Sequence, residues 1–232
     1  MEKKKARKPA LTTREIAVSA LLLALILIFI LVPIPTNVVD LAVIPLLAVF
    51  VACQAEGGKI GIIMGALFGV ASLIGAFTRP NLLSPAFYNP LVSVIPRVFV
   101  GIATYFSYAG MRKVTSKALV KKHDKKTAKR LSILLSSAVS SAVGVITNTG
   151  LVLSMIALFN YGKMFGDVVI GTALFAGILL TNFLPELAIA IVITPGIVLS
   201  LRAALKKKEY EDGALEAEEI KEQSAEEIGK NK

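Results

Sequence analysis

Five residues set binding or ionisable groups inside or at the edge of the strongly apolar stretches of this chain: Asp40, Arg97, Asn148, Asn182 and Glu186. In a lipid interior such groups are costly and turn toward the bundle interior or a water-filled cavity, which makes them the natural markers of a site. Their chemistry is recognition. A guanidinium offers a planar set of donors to a carboxylate, and an asparagine amide both donates and accepts. A buried guanidinium needs a partner in any case, so a structural pair with Glu186, or a bond to a carbonyl freed by Pro96, stands beside direct ligand contact for Arg97. Asn148 and Asn182 can equally serve as interhelical glue.

The connection from Thr78 to Pro90 is too rich in proline for regular helix and carries Phe87, Tyr88 and Asn89, which can lie against a ligand. The shorter stretch from Pro33 to Asn37 is expected beside it as a second cover, with Asn37 facing the ligand. An interfacial aromatic belt is the competing account of Phe87, Tyr88, Phe159 and Tyr161. Their coincidence with the polar cluster favours a pocket, and the expected substrate-binding set is Asn37, Phe87, Tyr88, Asn89, Arg97, Asn148, Asn182 and Glu186.

Absent motifs narrow the function further. There is no Gly-rich phosphate loop with Lys-Ser/Thr, so the chain cannot drive transport with its own nucleotide. No His-Glu-x-x-His, paired aspartates or Gly-x-Ser-x-Gly is present for intramembrane hydrolysis. The single cysteine, Cys53, and single histidine, His123, exclude the usual Cys/His metal constellations. Neither an inverted repeat nor a Gly/Pro-broken helix in both halves is visible. A binding protein that is not an enzyme, with no catalytic residue, metal or cofactor, is what remains.

The elements that must position these residues are membrane helices. Mean hydropathy is +0.70 and 55% of the 232 residues are hydrophobic, with uncharged runs such as Ile16 to Val32 that a water-soluble core rarely uses. No small-residue cleavage pattern follows the first run, so it is kept as a mature helix. Helices are expected near Ile16–Val32, Val38–Cys53, Lys59–Phe77, Leu91–Met111 and Leu131–Ile156, with a sixth from about Asn182 to Ala204 preceded by a long apolar outer segment. Both ends and the basic block Arg112–Arg130 are then cytoplasmic, which puts 23 of the 26 Lys and Arg on one side. The fold expected is an all-α integral membrane protein, a six-transmembrane-helix bundle with both termini cytoplasmic. Its parts are a basic segment (1–13), the transmembrane domain (14–205) and a charged tail (206–232). The net charge of +10 reflects topology and attraction to anionic lipid; the basic block has no interleaved aromatics for nucleic acid.

Small residues concern packing. Gly61, Gly65 and Gly69 recur on one face of the third helix, which lets a neighbour approach closely, and Ala20 and Ala24, with Ala17 nearby, make a small stripe on the first.

In these residues the chain resembles the substrate-binding (S) component of energy-coupling-factor (ECF) vitamin transporters. The resemblance runs from about Leu11 to Leu205. It is carried by Gly65-Ala66-Leu67-Phe68-Gly69 with Ser72, by Asn89-Pro90 through Ile95-Pro96-Arg97-Val98-Phe99-Val100-Gly101, by Thr147-Asn148-Thr149, and by Thr181-Asn182 with Pro185-Glu186 leading to Thr194-Pro195. It implies capture of a water-soluble vitamin from outside a prokaryotic plasma membrane, and docking on a membrane coupling (T) subunit that carries two ATPase subunits. The docking face would be the helix 1 stripe of Ala17, Ala20 and Ala24, and the ligand would lie among the outer loops and outer halves of helices 4 to 6. The S component would topple in the membrane to deliver its ligand. The nearest branch is the one handling pantothenate, pyridoxine-type or hydroxymethylpyrimidine precursors, with riboflavin further off. A carboxylate ligand would give Arg97 a partner, so pantothenate comes first. Two other classes stay open: a self-contained transporter in which Asp40 or Glu186 binds a proton or Na⁺, and a scaffold with no ligand.

Overall fold

The computed structural model describes residues 13–31, 43–81, 83–120, 124–166 and 168–204. Almost all of them are helical. Among the described residues four helices are long and apolar enough to cross a membrane: α3 (Gly58–Thr78), the stretch Pro90–Val120, α7 (Lys125–Asn160) and α8 (Thr172–Ala204). Two shorter apolar helices, α1 (Thr13–Leu31) and α2 (Val43–Glu56), complete the bundle. Between α3 and the long part of Pro90–Val120 lie two single-turn helices, α4 (Ser84–Phe87) and α5 (Pro90–Ser93), each with proline in its first turn, where the missing N–H costs nothing. The main helix of that stretch, α6, runs from Ile95 to Val120.

Three boundaries differ from the hydropathy reading. α6 and α7 continue into the basic block, to Val120 and from Lys125, because Lys and Arg are good helix formers once the helix has left hydrocarbon. Asp124 caps α7 by accepting hydrogen bonds from the backbone N–H groups of Lys126 and Thr127, both at 3.1 Å. Hydrogen bonds from Thr127, led by its side chain, hold the Asp124 carboxyl below the usual range. The expected sixth helix starts ten residues early, at Thr172 rather than Asn182. A π turn over Leu179–Phe183 lets the helix run on through Pro185, with the Leu184 N–H reaching back to the Leu179 carbonyl. The apolar segment before it is partly a small hairpin, β1 (Met164–Phe165) antiparallel to β2 (Val168–Val169).

α2 ends in a second π turn, Ala52–Glu56, and joins α3 through Gly57 alone, whose φ of 100° suits glycine. α3 then lies against α6 along its glycine face: a Cβ at Gly69 would stand 2.7 Å from the Val94 Cα, and one at Gly65 would strike the Arg97 carbonyl oxygen. The main apolar core sits among α1, α2, α3 and α6, around Ile26, Leu46, Phe50, Met64 and Val100.

One end of this bundle holds a ladder of serines. Ser132, Ser136, Ser137, Ser140 and Ser141 of α7 are all fully buried. The Gln54 amide, in the α2 π turn, donates to Ser140 (3.2 Å) and Ser141 (3.0 Å) and accepts from Ser137. Arg202 of α8 donates to the Gln54 carbonyl and lies 5.3 Å over the Tyr108 ring. Thr115 of α6 bonds Ser132 and Ser136 at 2.7 and 2.9 Å.

Candidate ligand-binding site

At the opposite end the helices part around a cavity of about 390 Å³. Helical periodicity dictates the lining. α3 contributes Phe68, Ser72, Gly75 and Ala76; α7 contributes Asn148, Thr149, Val152, Leu153 and Ile156; α8 contributes Ile178, Asn182 and Glu186. Each set recurs at three- or four-residue spacing on one face of its helix. The ends of α1 and α2 add Phe29, Ile30 and Pro45, and the connection after α3 covers the opening with Arg79, Asn81, Leu83, Ser84 and Phe87.

Arg97 stands in the wall of this cavity, 6% exposed. Its Nη1 donates to the Val92 carbonyl at 2.8 Å, the acceptor that the N–H of residue 96 would have used in an unbroken helix had it not been proline. The guanidinium lies between two rings, 5.8 Å from the Phe68 centroid and 5.2 Å from that of Phe87. Glu186 acts on it electrostatically from α8. The bond to a carbonyl freed by Pro96 is therefore made, and the Arg97 Nε has no hydrogen-bond partner. The Asn148 Oδ1, on the neighbouring helix α7, is also buried without one.

The cover is held by its own bonds. Asn81 Oδ1 accepts from the Leu83 N–H at 3.0 Å and from Ser84 Oγ at 3.1 Å, and Ser93 Oγ donates to the Phe87 carbonyl. Arg79 Nη1 donates to the Ile30 carbonyl at 2.8 Å, one of the acceptors left open at the end of α1, and so ties the cover to that helix.

The structure thus gathers Phe87, Arg97, Asn148, Asn182 and Glu186 around one cavity. It leaves out two expected members. Tyr88 stacks on Phe77, centroids 4.5 Å apart at 8°, on the exposed side of the connection. Asn89 spends its side chain as the cap of α5, accepting from the Leu91 N–H at 3.0 Å. Asn37 and Asp40 lie outside the described residues. Phe68, Ser72, Arg79, Asn81 and Thr149 are lining residues absent from the expected set. The register of α3 was the available signal for the first three, since positions 68, 72, 75 and 79 follow one helical face. Thr149 is adjacent to Asn148.

Among the described residues no group of three or more His, Cys, Asp or Glu side chains is placed to hold a metal ion. On α1 the three alanines Ala17, Ala20 and Ala24 share an exposed face with Leu21 and Ile28, while Ile26 on the opposite face is fully buried. A family model described as ECF transporter, substrate-specific component, matches residues 14–198, a span that includes every lining residue of the cavity. No curated protein matches the chain.

Proposed function

The chain belongs to the substrate-specific components of ECF transporters, and from that premise we propose that it captures a water-soluble vitamin in the cavity bounded by Arg97, Asn148, Asn182 and Glu186. The observation that carries the reading is the pair of buried polar atoms without partners, Arg97 Nε and Asn148 Oδ1, on the walls of one cavity. Leaving such groups unpaired costs about 1–3 kcal/mol each, a cost that a bound ligand removes. The cavity volume of about 390 Å³ suits a small ligand and lies near the lower end of the range of about 300–1,000 Å³ typical of such sites. Pantothenate is the first candidate, because its carboxylate answers Arg97; pyridoxine, hydroxymethylpyrimidine and riboflavin follow.

In this reading the chain crosses a prokaryotic plasma membrane six times with both termini in the cytoplasm, and the cavity opens outward. The excess of Lys and Arg at the other end supports that orientation. The subunit carries no ATPase and is not an enzyme; uptake is driven by two ATPase subunits acting through a membrane coupling subunit. The exposed face of Ala17, Ala20 and Ala24 is the docking surface, where small side chains let a partner helix approach closely.

Native mass spectrometry of the detergent-purified chain, followed by calorimetric titration of the four vitamins, tests the capture reading. One vitamin bound one-to-one without nucleotide is the expected result; no bound molecule and no titration across the set would refute it. For docking, Ala20→Leu with Ala24→Leu is expected to leave vitamin binding unchanged and abolish uptake in the assembled transporter. Normal uptake by that double variant would remove the docking face from the account.

A further inference from the structure

The hairpin between α7 and α8 has two unlike faces. The Gly162 N–H donates to the Ile170 carbonyl at 2.8 Å and the Ile170 N–H to the Lys163 carbonyl at 2.9 Å, while Gly162 (φ 77°) and Gly166 (φ 58°) take the positive φ that its turns require. On the inward face Ile170 is fully buried in an apolar cluster with Ala86, Val92, Val152 and Ile156, against which Phe165 also packs. That cluster fixes the hairpin to α7 and to the connection covering the cavity. On the outward face Met164 and Val169 stand opposite each other in register, 66% and 52% exposed. Leu158 and Tyr161, just before the hairpin, are 74% and 60% exposed.

Helix length sets the level at which this face lies. From Arg130 to Tyr161, α7 with its cap rises about 46 Å, and α8 rises about 45 Å from Arg202 back to Thr172, at ~1.5 Å per residue. At the average tilt of about 20° both helices cover about 42–44 Å along the bilayer normal. A bilayer with its headgroups is about 40–45 Å thick. With Arg130 and Arg202 at one headgroup level, the hairpin therefore lies at the other.

Neither adjoining medium suits it. A two-stranded hairpin has open edges whose N–H and C=O groups need partners, so immersion in hydrocarbon would be costly. Water would leave Leu158, Tyr161, Met164 and Val169 uncovered. The boundary between headgroups and acyl chains meets both demands, since it covers apolar side chains, wets the backbone and favours a tyrosine ring.

We infer that the outward face of this hairpin is a membrane anchor, its side chains set in the headgroup–acyl boundary of the leaflet opposite the basic end. The inference does not depend on which ligand the cavity takes.

The chain contains no tryptophan, so a single introduced indole reports its own surroundings. The test is Met164→Trp in the full chain, reconstituted in phosphatidylcholine and phosphatidylglycerol vesicles whose lipids are brominated either next to the headgroup or near the acyl-chain ends. Ile146→Trp, at an exposed position halfway along α7, calibrates depth. The Met164→Trp fluorescence is expected to be lost to shallow bromine more than to deep bromine and to resist iodide in the water, because an interfacial apolar face sits only about 5–10 Å into the boundary. Ile146→Trp is expected to show the reverse preference. Quenching of Met164→Trp by iodide and by neither lipid would put the hairpin in water and overturn the inference. Stronger quenching by deep bromine would overturn it too, as would resistance to all three quenchers, which would mean that protein, such as a second copy of this chain, covers the face. If Met164→Trp fails to fold, Val169→Trp on the same face replaces it.

Discussion

The two halves of α7 carry the same kinds of side chain to opposite ends. This 36-residue helix is about 54 Å long at ~1.5 Å per residue. Its first half presents serines to the Gln54 amide, whose oxygen and nitrogen are both engaged. Its second half presents Asn148, an amide of the same chemistry, to a cavity in which its oxygen has no partner. Between them Gly144 lets the Phe50 ring and Thr104 press against the helix. Polar groups that complete one another hold helices together, whereas polar groups that face a cavity unmatched await a ligand. The cavity decides the second case: Arg202 also stacks on a ring, bonds one carbonyl and keeps an unpartnered Nε, yet it does not line the cavity as Arg97 does.

If that division is right, substitutions at the two ends dissociate binding from stability. The largest effect is expected from Arg97→Gln, which removes the charge facing the ligand. Affinity for the bound vitamin should fall by about 100-fold, the upper range for a hydrogen bond to a charged group, measured by calorimetry. Next comes Gln54→Leu at the serine end. It leaves three serine hydroxyls short of a partner and should cost about 1–3 kcal/mol in detergent unfolding, with vitamin affinity unchanged. Asn148→Leu should do the reverse, lowering affinity about 10-fold while the ligand-free chain unfolds no more easily, because an unpaired buried amide has been removed. The smallest effect is expected from Ser137→Ala, about 0.6 kcal/mol, the average for interhelical hydrogen bonds in a membrane. Were Gln54→Leu to weaken vitamin binding as strongly as Asn148→Leu, the two ends would be one coupled unit and the comparison would fail.

How much of this was legible in the sequence depends on the residue type. Arg97, Asn148, Asn182 and Glu186 stand out because a charge or an amide in an apolar run is conspicuous, and they do meet at one cavity. Serines are inconspicuous, since a helix can bury each hydroxyl against its own backbone. The ladder exists only once the α2 π turn brings Gln54 to it. The place of Tyr88 and Asn89 in the connection suggests ligand contacts, and local chemistry overrides it: a stack on Phe77 for one and a helix cap for the other. Arg79 has no place in the expected site. Only the α3 register and the open carbonyl of Ile30 bring it to the cavity rim. Hydropathy located most of the apolar part of the helices, left the apolar first turns of α8 to an outer segment, and was blind to the polar turns of α6 and α7.

The most direct test of the central claim is thermal unfolding of the purified chain with and without its vitamin, on the unaltered sequence and on Asn148→Leu and Gln54→Leu. A ligand that fills the cavity raises the unfolding temperature by mass action. The account predicts that this rise persists in Gln54→Leu and shrinks sharply in Asn148→Leu. An undiminished rise in Asn148→Leu, or its loss in Gln54→Leu, would place the ligand somewhere other than this cavity.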